Sequence, residues 1–542
     1  MLEGLMQHDY PLTLRLVLDR MRLIYADSEV VSVSGGETTR ASYGEVVERV
    51  ERLAGALREL GVRPGDRVAT FAWNTRQHLE AYLAVPCMGA VLHTLNVRLF
   101  ADQLTYIVNH AEDRVILVED SLVPVLEKLA PTFETVEHYV VIGDGVAGEL
   151  PGALRYEELL ESQTPGYDFP ELDDRQAAGL CYTSGTTGNP KGVLYSHRSN
   201  VLHALGQCMA DSIGVTSDDR VMPVVPMFHA NAWGVPYGST VTGADLVMPG
   251  ANLQADALAA LIQDEQVTLS AAVPTIWMDL LRYADEHHPD LSSMRVVISG
   301  GSAVPVALMQ QFEQRHGVRI IQAWGMTETS PLGSTARPPR GLSEEEHWRY
   351  RATAGRPAPL VEARLVRDGG DEVPWDGTST GELEVRGPWV ARTYYRDEES
   401  EEKFDEGWLR TGDIAAIDKR GYIIISDRAK DVIKSGGEWI SSVELEIEIM
   451  AHPAVHEAAV IAMPDERWGE RPLACVVLED GADLKLDELR EHLAPRVAKW
   501  WLPDEVAVVD EVPKTSVGKF DKKVLRKQLE EGRLERVGAA HG

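Results

Sequence analysis

Cysteine is scarce: four residues, Cys87, Cys181, Cys208 and Cys475, lie far apart in 542 and never form a CxxC pair. That spacing offers neither a zinc site nor a disulfide framework and fits a reducing compartment. Basic charge is in deficit too, with 53 Lys and Arg against 85 Asp and Glu and a net charge of −32. A chain this acidic has no broad affinity for nucleic acid or an anionic membrane, so any anionic ligand must be met by cations concentrated locally. No eighteen apolar residues run together, and the opening MLEGLMQHDYPLTLRLVLDR lacks a basic segment followed by an apolar one. Neither a membrane span nor an export signal is expected, and a cytoplasmic location is. Internal repeats and low-complexity tracts are also missing.

What is there reads as an ordinary globular chain, 44% hydrophobic and 25% charged, too long for one core. SYGEVVERVERLAGALRELG places Val46, Val47, Val50, Leu53, Ala54, Leu57 and Leu60 at helical spacing, with Ser42 and Glu45 in capping-box positions and Gly61 as the stop. RVATFAW, RVILVED and HYVVIGD read as buried strands, and the alternation continues through ADLVMPG, VTLSAAVPTIWMDLL, MRVVISGG and VRIIQAWG. Strands alternating with helices predict an α/β fold with a largely parallel sheet, whose strand-end loops hold ligands. From about residue 355 short strands and turns predict a β-rich subdomain, and the last hundred or so residues a compact α+β unit with two helices. The expected division is a large domain over 1–428, a hinge at 429–431 and a small domain over 432–542.

YTSGTTGNPKG, at 182–192, crowds glycines and hydroxyls around one lysine. It is not a Walker loop: Pro190 stands where glycine should precede Lys191, and Gly192 follows in place of Ser or Thr. GxGxxG is absent as well. Such a loop can wrap phosphate oxygens with backbone N–H groups and hydroxyls, Lys191 serving as a point charge; a polar surface hairpin is the plainer alternative. The segment closely resembles the phosphate-binding signature of the adenylate-forming superfamily, which includes acyl-CoA synthetases, luciferases and peptide-synthetase adenylation domains. Further resemblances follow in order: PMFHANAWG at 226–234, GGSAVP at 300–305, QAWGMTETSP at 322–331, RTGDIA at 410–415, DRAKDVIKSGGEWIS at 427–441 and PKTSVGK at 513–519. They are strongest to the fatty-acyl-CoA ligase branch, including its methylmercaptopropionate-CoA ligase relatives.

The resemblance implies a two-step reaction with ATP and CoA as co-substrates and Mg²⁺ as cofactor: a carboxylate gives acyl-AMP and pyrophosphate, then CoA displaces AMP. It implies that Lys519 and Glu328 are catalytic, with Glu328 and Ser184 as metal ligands. Thr183, Ser184, Gly185, Thr186, Thr187, Gly188 and Lys191 would cradle the β and γ phosphates, and Thr327 would meet the α-phosphate. Trp324, where tyrosine is common in the superfamily, would stack on adenine beside Gly301, Gln322 and Ala323. Asp413 would accept the ribose hydroxyls with Arg428 beside it, and Lys434 and Arg471 would contact nucleotide in one orientation. Lys430 would be the hinge of a rotating C-terminal domain, Gly436 and Gly437 would line the pantetheine path, and Trp233 with His229 would gate the acyl pocket. Taken alone, an Asp after Gly is a turn former, a Trp at a strand end is core, and Lys519 is one of many lysines in a basic tail.

On this reading the protein activates a medium- or long-chain fatty acid. The alternatives are a 3-methylmercaptopropionate or other short-acid ligase, an adenylation module serving a carrier protein, a luciferase-like oxidase of its adenylate, and a noncatalytic binding protein. A homodimer is expected from the resemblance alone.

Overall fold

The capping box forms as read. Ser42 caps the helix Tyr43–Glu59 and exchanges hydrogen bonds with Glu45, while Gly61 follows with φ +86°. In this computed structural model the described residues are 2, 4–183, 189–367, 370–397, 402–428, 431, 433–435, 438–465, 467–479, 481–514 and 520–538; side chains are described for these except 427, 428, 434, 438, 439 and 538.

Two large sheets carry the N-terminal part. In the first, the strands Asp113–Glu119, Arg67–Phe71, Val91–Thr94 and Ala177–Tyr182 lie parallel in that spatial order, and Gly192–Ser196 closes the edge antiparallel to Ala177–Tyr182. In the second, Arg319–Gly325, Val296–Gly300, Leu269–Ala272, Arg220–Pro223, Asp245–Met248 and Glu29–Ser34 are parallel neighbours, flanked by antiparallel edges. Crossover helices such as Arg76–Cys87 and Pro274–His287 cover the faces, as parallel sheets require. VTLSAAVPTIWMDLL is not one element: Pro274 fills the first position of a helix, so the strand ends at Ala272 and Trp277 enters the core from the helix.

Residues 362–428 form a five-stranded antiparallel sheet. Among the described residues the last part is a six-stranded sheet with its own apolar core and three helices, Ser442–Met450, Leu486–Leu493 and Lys522–Glu530, one more than the pattern suggested. Among the described residues no helix is long and apolar enough to cross a membrane.

Asn74 ties the two large sheets together. Its buried amide donates to Pro223 O (2.7 Å) and Val225 O (2.9 Å) and accepts from the Met227 amide (2.7 Å). Beside it, Glu119 accepts from the Trp73 amide at 3.0 Å, and Trp73 meets Phe228 edge-on with ring centroids 6.0 Å apart. The loop after Arg220–Pro223 is thus set by residues of the neighbouring sheet.

Burial, partly offset by the Trp73 N–H and reinforced by Asp120, raises the Glu119 carboxyl to about 7. A carboxyl with a higher pKa folded than unfolded favours the fold below its unfolded pKa, and that contribution is lost as pH rises through 7. Replacing it by Glu119→Gln, which keeps an acceptor for Trp73, should remove this dependence. Calorimetry should find the variant's melting midpoint above the parent's at pH 8 and near it at pH 5, the gap corresponding to at most about 3 kcal/mol.

Candidate active site

The carboxyl ends of the parallel strands bring the motifs together. Thr183 follows Ala177–Tyr182 and Lys191 precedes Gly192–Ser196, so the glycine-rich segment joins two antiparallel neighbours. The Thr183 amide donates to Lys191 O (2.9 Å), and the Lys191 amide to Thr183 Oγ1 (3.2 Å), closing the base. Ser184, Gly185, Thr186, Thr187 and Gly188 lie outside the described residues, as do Lys430, Gly436, Gly437 and Lys519; for Arg428 and Lys434 only the backbone is described.

Glu328 sits in the short turn Thr327–Thr329 and is 5% exposed. Three contacts fix that turn: Tyr195 OH donates to Thr327 O (2.8 Å), the Ala391 amide to Glu328 O (2.7 Å), and Ser330 Oγ to Trp389 O (2.7 Å). The carboxylate accepts from Tyr394 OH at 2.5 Å. Burial first, then the negative charge of Glu328, pushes that phenol far above its usual range, so it stays a proton donor.

The same segment reaches the glycine-rich loop. Lys191 Nζ pairs with Asp397 at 2.9 Å and lies 5.1 Å from the Tyr394 ring centroid, while the Tyr395 amide donates to Gly192 O (2.8 Å). Residues 389–397 therefore clamp both the loop's exit and the Glu328 turn. The sequence reading gave WVARTYYRD no role. Its visible signal, two adjacent tyrosines followed by Arg-Asp, does not say which motifs they would join.

Trp324 donates its indole N–H to Asp413 Oδ2 at 2.8 Å, joining the expected adenine and ribose residues directly. A Cβ on Gly333 would fall 2.3 Å from Cζ3 of that indole, so glycine there lets the ring lie against the next strand. Asp413 is buried and pairs in register with Arg428 across the sheet. Gln322 turns inward: it accepts from the Val304 amide (2.7 Å) and donates to Thr353 O (2.8 Å) and Ala352 O (3.3 Å), supporting the wall from behind. Gly301 takes φ +86° after Gly300, and a Cβ on Gly300 would sit 2.6 Å from Ala323 O and 3.4 Å from Cη2 of Trp233. Trp233 thus touches the backbone that frames the adenine wall.

Trp233 ends a strained turn. Ala230, Asn231, Ala232 and Trp233 have φ of 42°, 55°, 49° and 56°, and Gly234 follows at 74°. Left-handed backbone costs roughly 1–2 kcal/mol for each non-glycine residue, so the surroundings must hold it. Asn231 Oδ1 accepts from Tyr82 OH and Cys181 Sγ, each at 3.4 Å, and Gln207 Nε2 donates to Trp233 O. His229, half-buried, precedes the turn and its carbonyl accepts from the Ala232 amide (3.1 Å). Burial pushes the Cys181 thiol up to about 11 and those of Cys87, Cys208 and Cys475 to about 12, so none supplies a thiolate near neutral pH.

In the C-terminal unit Arg471 is committed internally. All five of its N–H donors are taken within the unit, by Asp504 (2.5 and 3.1 Å), Ser435 Oγ (3.1 Å), Trp500 O (2.6 Å) and Leu502 O (3.0 Å). In this arrangement it has no donor left for nucleotide; it fastens the strand Ile433–Ser435, which carries Lys434, to the sheet. Around 515–519 the chain closes on itself: Lys514 bridges Phe520, and the Asp521 amide donates to Pro513 O (2.7 Å). The next residue, Lys522, is buried and held by Glu446 (2.7 Å) and Ser442 Oγ (2.6 Å).

Among the described residues no three His, Cys, Asp or Glu side chains converge as a metal cage. A single buried carboxylate near the glycine-rich segment suits a hard cation that takes its other ligands from a phosphate ligand and water.

Comparison with known proteins agrees along the chain. The AMP-binding enzyme family matches residues 22–395, and the AMP-binding enzyme C-terminal domain matches 444–519. A 3-methylmercaptopropionyl-CoA ligase of Ruegeria lacuscaerulensis is 44% identical, covering 96% of this chain and 98% of that protein. A long-chain-fatty-acid–CoA ligase of Thermus thermophilus is 47% identical, covering 96% of each, and a medium-chain-fatty-acid–CoA ligase of Ectopseudomonas oleovorans is 44% identical, covering 92% and 93%. Among solved structures, the anthranilate CoA ligase AuaEII with anthranoyl-AMP superposes with a TM-score of 0.87 at 28% identity, covering 97% of this chain and 99% of that one. ATP-bound MatB from Rhodopseudomonas palustris gives 0.82 at 27% identity, covering 96% and 100%. With both parts matched and such relatives spanning nearly its whole length, the chain belongs to the AMP-binding, adenylate-forming enzyme family.

Proposed function

We propose that this protein is an AMP-forming acyl-CoA synthetase acting on a medium- or long-chain fatty acid. The observation that carries the reading is that contacts join the motifs: residues 394–397 hold both Lys191 and Glu328, Trp324 is bonded to Asp413, and Trp233 packs on Gly300 beside Ala323. The names of the relatives, fatty-acid and 3-methylmercaptopropionyl CoA ligases, supply the substrate class.

In the first step a carboxylate oxygen of the acid bonds to the α-phosphorus of ATP, the bond to the bridging oxygen breaks, and pyrophosphate leaves. Carboxylate and triphosphate repel each other, so neutralising and positioning groups govern the rate. Lys191, with Thr183 and the 184–188 backbone, meets the β and γ phosphates, Thr327 the α-phosphate, and Lys519 the oxygens where charge builds. Glu328 and Ser184 would hold Mg²⁺, whose charge offsets that of the phosphate oxygens. Trp324 stacks on adenine in a plane set by its bond to Asp413, which accepts the ribose hydroxyls beside Arg428. Gly301 and Ala323 complete the wall, with Gln322 as their support.

In the second step the CoA sulfur bonds to the acyl carbon, the acyl–phosphate C–O bond breaks, and AMP leaves. Rotation of the C-terminal domain (432–542) about Lys430 replaces Lys519 with the 434–439 segment, where Gly436 and Gly437 admit the pantetheine arm and Arg471 keeps that segment in place. Trp233, with His229 beside it, gates the acyl pocket; the left-handed turn supports this, since a strained segment is one that a bound ligand can release.

A second reading, ligation of 3-methylmercaptopropionate, draws on a relative aligned over 98% of its own length. ATP-dependent thioester formation in competition among acids from propionate to palmitate, with 3-methylmercaptopropionate included, separates the two: preference for acids of eight or more carbons supports the first, and preference for the thioether acid overturns it. A homodimer is tested by gel filtration against the 59.8 kDa chain.

Lys519→Ala should slow ATP–pyrophosphate exchange by about 10²-fold or more while leaving thioester formation from supplied acyl-AMP near the parent rate. Equal loss of both steps overturns the division of labour. Tyr394→Phe, which removes a hydrogen bond to a charged group, should lower adenylation about 10- to 100-fold and weaken Mn²⁺ binding to the enzyme–ATP complex, read by electron paramagnetic resonance. Unchanged Mn²⁺ affinity would disconnect Tyr394 from the cation. Trp233→Ala should alter the KM for fatty acid and abolish its dependence on ATP; untouched kinetics remove the gate.

A further inference from the structure

At the opposite edge of the second sheet three arginines converge. Arg295 immediately precedes the strand Val296–Gly300, and Arg319 begins the neighbouring strand in register with Val296. Arg337 arrives from Leu332–Thr335, which runs the other way, and follows Ala336, whose amide donates to Gln322 O (2.9 Å). With Glu313 they line a cleft of about 180 Å³ floored by Val296 and Ile321. At about 30 Å³ for each water it has room for roughly six. That admits a phosphate or pyrophosphate group, whereas whole drug-sized ligands need about 300 Å³ or more.

Two of the guanidiniums are fixed. Arg295 binds Asp219 through Nε and Nη2, both at 2.7 Å, and also donates to Gly214 O (2.7 Å). Arg337 donates to the carbonyls of Ser212 and Ile213. Arg319 is exposed, and among the described residues neither it nor Arg337 pairs with a carboxylate. Glu313 is already engaged by Arg351. Four guanidiniums therefore face two paired carboxylates, with Asp211 acting on Arg337 only as its weakest influence. Burial, then Arg319 and Arg295, pull the Arg337 guanidinium below its ordinary range. A chain with a net charge of −32 has crowded like charges here and left part of that charge unmatched.

We infer that this cleft is a second anion site, one that takes a phosphate group: free phosphate, pyrophosphate, or the terminal phosphate of a larger molecule whose remainder stays outside. Guanidinium forks match phosphate oxygens in pairs, and here two are held in place while Arg319 is left to close on the ligand. The site lies at the amino ends of the strands, away from the nucleotide motifs at their carboxyl ends, and does not depend on the proposed reaction.

The test uses the full-length Lys191→Ala protein, in which phosphate binding at the glycine-rich loop is weakened, with and without Arg319→Ser. Each is titrated calorimetrically with sodium phosphate, sodium pyrophosphate and adenosine 3′,5′-bisphosphate. Because, among the described residues, the Arg319 side chain pairs with no carboxylate and the strand it begins is held through its backbone, the second substitution should leave the melting midpoint unchanged; Arg319→Gln serves in its place if it does not. Saturable binding of at least one probe, weakened tenfold or more by loss of Arg319, supports the site, and the tightest probe identifies the source of the phosphate. Absence of saturable binding by all three, or isotherms indifferent to Arg319, overturns it.

Discussion

A buried carboxylate must be kept in place beside a lysine of the glycine-rich segment, and the segment 389–397 does this through two bonds: Tyr394 OH to Glu328, and Asp397 to Lys191. The first gives a nearly solvent-free carboxylate a donor, without which its burial would be costly. The second holds the lysine of the glycine-rich segment against the same stretch, over the Tyr394 ring. Because both bonds come from one stretch of chain, the cationic and anionic elements of the site are fixed relative to each other. The remaining parts are arranged around that pairing.

The Trp233 turn and the Trp324–Asp413 pair share backbone. Trp233 touches Gly300, Gly300 faces Ala323 across the sheet, and Ala323 adjoins Trp324, whose indole is bound to Asp413. A displacement of Trp324 therefore has a short mechanical path to the Trp233 turn through packed atoms. The turn itself stores strain and is restrained by Tyr82 and Cys181, which bond its Asn231, and by Gln207, which bonds Trp233 O, three residues drawn from three other elements.

The C-terminal unit is built on different terms. Its own sheet and core hold it together, and two buried cations, Arg471 and Lys522, anchor the strand that carries Lys434 and the helix that follows 515–519. Both anchors act inside the unit, so the two segments keep their relation to each other however the unit is oriented.

Much of the fold was legible in the sequence because apolar period, turn residues and caps are local: the Ser42 capping box, the Arg67–Phe71 strand and the parallel class all follow from neighbours within a few residues. Where one apolar run crossed from strand to helix at Pro274, periodicity blurred the boundary. The motifs along 182–192, 322–331 and 410–415 pointed to nucleotide chemistry through their resemblance to the adenylate-forming superfamily, since each taken alone has a plainer reading. What the linear order did not contain were the pairings over long separations: Tyr394 with Glu328, Lys191 with Asp397, Trp324 with Asp413, and the inward commitment of Gln322 and Arg471. Sequence determined which chemical groups this protein owns and the class of scaffold that carries them, since those depend on residue type and local spacing. Only the tertiary structure decided which of those groups face one another, because that depends on how sheets and loops separated by scores of residues pack in space.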